Sequence, residues 1–159
     1  MATIQTGAGV VIGIATVTTA VADLAAYEAL TYTPIEQTES IGDYGDSTNE
    51  VTFTGLGDAR VQKKKGAADA GNLSVTMAFD GAAGAGQTAL IAAAADTTST
   101  DYHFEVVFND DLGTNATTRY FSGQVASCVE SISGADSIVM LTSEIRINTA
   151  ILKKAAAAS

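Results

Sequence analysis

The chain has 159 residues, 47% apolar and 16% charged, with 18 acids against 8 bases and a formal net charge of −10. That composition excludes a disordered chain. The acidity excludes an ordinary phosphate-gripping protein, because nucleic-acid affinity comes largely from neutralising phosphates.

The single cysteine, Cys128, excludes an internal disulfide framework, and the single histidine leaves no Cys and His set for zinc. The length suits one domain over 1–159 with a sizeable core. Fifteen glycines, one proline and many Thr, Ser, Val and Ile favour strands and turns over helices.

Residues 1–9 (MATIQTGAG) are small and polar, a flexible start. The apolar run 7–22 lacks a basic flank and is punctuated by Gly and Thr, so it reads as folded chain, not a leader or a membrane span. Within it, 10–17 (VVIGIATV) is a β-branched strand. Thr19 is placed to cap a helix over 20–29, with Val21, Leu24 and Ala25 on one face. Residues 30–36 are extended, with Pro34 marking an edge or bend.

A turn-rich segment, 40–46, precedes a strand over 50–56 with Val51 and Phe53 on one face. A polar excursion over 58–71 follows, the basic arm. It holds Arg60, Lys63, Lys64 and Lys65, half of all the basic residues. Residues 72–80 alternate cleanly, Leu73, Val75, Met77 and Phe79 against Ser74, Thr76 and Ala78, the pattern of a half-buried strand.

After a glycine loop (81–86), residues 87–95 are helical, with Leu90, Ile91 and Ala94 as the covering stripe. A strand over 101–109 presents Tyr102, Phe104, Val106 and Phe108 on one face, and a turn spans 110–115. Two long strands, 117–131 and 137–150, are joined by 133–136 as a hairpin. The second turns Val139, Leu141, Ile145 and Ile147 one way, and Thr142, Glu144 and Asn148 the other. The tail 153–159 is low in complexity and reads as frayed. These elements predict a mainly β protein: an antiparallel sandwich or barrel-like domain with one flanking helix and a long arm.

No constellation for catalysis emerges, so the sequence points away from an enzyme, a cofactor or a metal. The run 81–88 (GAAGAGQT) has the spacing of a phosphate loop, but Gln87 stands where the lysine belongs. His103, next to Glu105 and opposite Phe104, reads as a surface or subunit contact, and Cys128 as a small buried apolar group. Asp43, Asp46 and Glu50 miss the calcium-loop pattern. The arm has the better claim: a basic arm on an acidic body suits a second copy of the same chain, and head-to-tail contacts of that kind build rings or filaments.

The segment 41–80 (IGDYGDSTNEVTFTGLGDARVQKKKGAADAGNLSVTMAFD), with 118–125 (TRYFSGQV) and 134–151 (GADSIVMLTSEIRINTAI), resembles the major tail tube proteins of long non-contractile-tailed bacteriophages, the siphophages. The likeness covers about 27–151 and rests on the order of features, not on one motif. It implies a virion protein that forms hexameric rings stacked into a hollow tube, a conduit for DNA ejection. The inner sheets of the ring then join into one barrel.

The implied partners are further copies of the chain, a tape-measure protein and DNA in the lumen without specific binding, and terminator and tail-tip proteins at the ends. There is no membrane insertion, and synthesis takes place in the host cytoplasm. The arm, with Asp58, Arg60, Lys63, Lys64, Lys65 and Gly66, becomes a subunit or inter-ring contact. Thr142, Glu144 and Asn148 become lumen-facing. A decoration, fibre or adhesin-type β-sandwich binding module is the alternative.

Overall fold

The computed structural model describes residues 4–82, 84–110 and 115–156. In chain order the elements are β1 (Val11–Ala15), α1 (Leu24–Glu28), β2 (Thr33–Pro34), β3 (Thr38–Ile41), β4 (Ser47–Phe53), β5 (Gln62–Asp69), β6 (Asn72–Ala78), α2 (Ala85–Ala95), β7 (Tyr102–Val107), β8 (Thr118–Ser131), β9 (Met140–Ile147) and β10 (Leu152–Lys154). Every strand pairing is antiparallel, and the main sheet runs β2-β1-β7-β8-β9-β6-β3, with β10 also on β8.

Strand β8 belongs to two half-sheets. Its first part, from Thr118 to Gly123, pairs with β7, while from Gly123 onward it pairs with β9. A register shift between Val125 and Ser127 marks the bulge near the change of partner. Strand β10 continues on the β9 side, opposite Tyr120, Arg119 and Thr118. Gly123 is required at the switch, because a Cβ there would lie 2.1 Å from the Arg146 carbonyl oxygen.

The alternation read from the sequence explains the core. Leu73, Val75 and Met77 of β6, Leu141 and Ile145 of β9, Ile12 and Ile14 of β1, and Phe104 and Phe121 are all fully buried in one cluster. Phe104 and Phe121 stack with ring centroids 5.6 Å apart. Burying each such side chain is worth ~1.5–3 kcal/mol, so this cluster holds the sandwich together. Phe79, expected in the same row, is 45% exposed. Strand β6 ends at Ala78, and the Phe79 N–H turns to the Val139 carbonyl.

The two helices differ in phase from the sequence reading. Helix α2 buries Gly86, Gln87, Leu90 and Ala93, while Ile91 is exposed. Gly86 sets this phase, since a Cβ on it would come within 2.0 Å of the Pro34 carbonyl oxygen. The five-residue α1 is capped by Asp23, whose Oδ1 accepts from the Ala26 N–H, not by Thr19, and it buries Tyr27.

Thr19 instead holds the only histidine, through a backbone carbonyl that accepts from His103 Nε2. His103 is therefore buried, 2% exposed, not at a surface. With Nε2 donating, Nδ1 accepts from the Ser122 hydroxyl, and Ser122 in turn accepts from Tyr27. Replacing Ser122 with alanine strands two buried polar groups and is expected to cost about 1–3 kcal/mol each, read as a lower urea midpoint for the monomer.

Near both ends the described residues are more ordered than expected, while 1–3 and 157–159 lie outside them. The Val10 N–H closes a turn on the Gly7 carbonyl, and Asn109 reaches the Ala8 carbonyl. Residues 153 and 154 are not frayed; they sit in β10, and Lys154 pairs with Glu28, which raises the lysine's pKa. Asp110 accepts from Thr117, while 111–114 of the expected turn lie outside the described residues.

Candidate assembly surfaces

The basic arm is a β-hairpin, not an open loop. Strand β5 carries Lys63, Lys64 and Lys65 and pairs with β4 in a separate two-stranded sheet. The arm therefore spans 47–69, and 58–71 covers only its return half. Its strands are exposed almost throughout. Asp58 sits in the connecting turn, its N–H on the Gly55 carbonyl. Gly66 lies at the register shift, where a Cβ would meet Val51 Cγ2 at 3.0 Å.

Pairing sorts the arm into two faces. Glu50 stands opposite Lys65 and Thr52 opposite Lys63, and Lys63 reaches Glu50 at 3.4 Å. The other face carries Val51 opposite Lys64 and Phe53 opposite Gln62. Phe53 is 66% exposed, so the arm offers an apolar face as well as charge. Arg60 lies with Val61 in the strand connection, both exposed.

The half-sheet formed by the second part of β8 with β9, β6 and β3 has two unpaired edges. Beyond Gly123, β8 pairs only on its β9 side among the described residues, and β3 ends the sheet order. Both are bare backbone rows, the kind of edge that another strand can extend.

The outward face of this half-sheet is rich in hydroxyls and amides. Rows across the strands read Val129, Thr142, Thr76 and Ser40; Ser127, Glu144 and Ser74; and Gln124, Arg146 and Asn72. Thr142 and Glu144 share this face. Asn148 does not: it follows the end of β9 and bonds Asp101. Glu144 accepts from Asn72 at 3.1 Å and lies 4.0 Å from Arg146, so the charge on this face is balanced.

The glycine loop serves structure. Gln87 is buried; its Oε1 accepts from the Asp80 N–H, and its Nε2 donates to the Glu36 and Ala78 carbonyls. Burial raises the Cys128 pKa, and its thiol packs against the core. Among the described residues no group of three His, Cys, Asp or Glu could hold a metal, and no helix is long and apolar enough to cross a membrane.

No protein-family model and no curated protein matches the chain. Solved structures do. The tail tube of SPP1 superposes with a TM-score of 0.70 at 14% identity, covering 97% of this chain and 81% of that one. The tube-terminating cap of the anti-feeding prophage gives 0.70 at 9% identity over 98% and 94% of the two chains. The tail of an empty gene transfer agent particle, refined with helical C6 symmetry, gives 0.62 at 15% identity over 96% and 100%. The chain has the mainly antiparallel β fold of phage and injection-system tail tubes. The resemblance read from the sequence and these solved structures agree on the fold.

Proposed function

We propose that this chain is a structural virion protein that assembles into hexameric rings, stacked as the hollow tube through which DNA leaves the particle. The observation that carries this reading is the half-sheet with two free edges: joined to the neighbour's β8, each β3 extends the sheet around a closed ring, which removes the edges. The outward face, hydroxyl-rich and balanced in charge, then lines the lumen through Thr142 and Glu144, with no basic stripe to grip passing DNA.

The arm contacts a neighbouring copy. Asp58 and Gly66 shape it, and Arg60, Lys63, Lys64 and Lys65 give it charge. The lumen passes the tape-measure protein and DNA, terminator and tip proteins close the ends, and the host cytoplasm is the site of synthesis. The fold neighbours are tube and cap components of particles, which supports a structural and not an enzymatic role.

Electron microscopy of the purified protein tests this directly. Rings and tubes are expected, shortened when Lys63, Lys64 and Lys65 are changed to Glu while the monomer's thermal melt stays put. Dispersed monomer at every concentration would sink the tube reading.

A further inference from the structure

The cations of the molecule are segregated along β8. Strand register orders its rows from Ser131, opposite Met140 and in line with Ala78, down to Thr118, opposite Lys154. Going down, the first cation is Arg146, opposite Gln124 and Asn72. Arg119, Lys153 and Lys154 follow on the last rows. The other four cations lie on the arm, which joins the sheet at the Asn72 end of β6. All eight Lys and Arg are therefore on one half.

The opposite end carries Asp80, Glu130 and Asp136, with no cation. There the β8–β9 connection projects as a tip, with Ile132 73% and Ile138 71% exposed.

A counterpart for that tip exists on the half that holds the cations. A surface pocket of about 330 Å³ is lined by Tyr44, Gly45, Asp46, Arg119, Ile151 and Lys153. Arg119 and Lys153 stand directly opposite each other on β8 and β10. Neither forms an ion pair among the described residues, although Asp46 shares the pocket. The Arg119 guanidinium rests 5.2 Å over the Phe108 ring. Burial raises the Tyr44 phenol's pKa, and Arg119 pulls it back, so the cation is felt inside the pocket.

We propose that copies stack head to tail, the tip of one docking at this pocket on the next. Glu130 and Asp136 face Arg119 and Lys153, and Ile132 and Ile138 meet the apolar walls given by Tyr44 and Ile151. The tip and pocket lie at opposite ends of one subunit, so the contact is heterologous and repeats without closing. It joins successive rings, and opposite charge fixes the direction of stacking. The proposal rests on the tube reading above.

A charge swap tests it. E130K/D136K and K153E/R119E are each expected to raise the critical concentration for tube formation at least about tenfold, since six copies of the contact per ring multiply a modest factor per pair. The four changes in one chain restore complementarity and are expected to return tubes to near the wild-type threshold. K153E alone, at an exposed site, shows the same direction more weakly and guards against misfolding of the R119E variant. Normal tubes from the single-side variants, or a combined variant as impaired as their sum, would overturn the contact while leaving the tube intact. Absence of tubes from the wild type would instead remove the tube reading, and the contact with it.

Discussion

Replacing Gly123 with alanine is expected to destabilise the monomer by at least about 3 kcal/mol, the upper end of overpacking costs. A Cβ at this position would sit 2.1 Å from the Arg146 carbonyl oxygen. That neighbour is backbone in the central strand pair, so no side-chain rotation relieves the clash. Strand β8 would have to part from β9 at the row where it changes partners.

Gly86→Ala is expected to act similarly, with its Cβ 2.0 Å from the Pro34 carbonyl oxygen, by lifting α2 off the β1–β2 edge. Gly134→Ala is the control: nothing lies within 4 Å of its Cβ, and surface changes of that kind stay within about 0.5 kcal/mol. Urea unfolding of dilute monomer measures all three. A Gly123→Ala midpoint close to that of Gly134→Ala would contradict the packing described for the switch.

What was legible in the sequence was what burial writes into it. Strands β6 and β9 each bury one face, so their apolar residues recur every second position and their extents follow. Strand β5 buries nothing. QKKKGAAD becomes a strand because β4 lies beside it, and pairing without burial leaves no period to read. Strands β3 and β10 are four and three residues long and take their conformation from β6 and β8.

The phase of α2 was lost because Ala-rich helices have little amphipathic contrast. The close approach of Gly86 to Pro34 decided it instead. His103 was misplaced for a related reason: its partners, Thr19, Ser122 and Tyr27, are scattered in sequence and meet only in the fold. That Thr142 and Glu144 share one face followed from alternation, whereas Asn148 lies past the strand end, where alternation no longer holds. The segregation of cations depends on register across four strands, which no linear reading contains.

Oxidative cross-linking through Cys128 is expected to give a ladder of covalent species ending at six. Cys128 stands opposite Ser143, Ser143 opposite Val75, and Val75 opposite Ile41. One row thus crosses the half-sheet from free edge to free edge, with the native cysteine at one end. If the β3 edge of one copy extends the β8 edge of the next, a cysteine placed on β3 comes close to the neighbour's Cys128. Which position matches depends on the stagger between copies, because closing a sheet into a barrel shifts the strands along each other.

Thr38→Cys and Ile41→Cys, which share the core-facing side of the sheet with Cys128, sample that stagger. A disulfide needs Cα atoms about 4.4–6.8 Å apart, so only the matching position should react efficiently in assembled tubes. Burial raises the Cys128 pKa, so alkaline pH is needed to form the reacting thiolate. The ladder should vanish when Cys128 is replaced by serine, and when the protein is kept monomeric. Tubes that form normally while neither position cross-links would show that these edges are not what closes the ring.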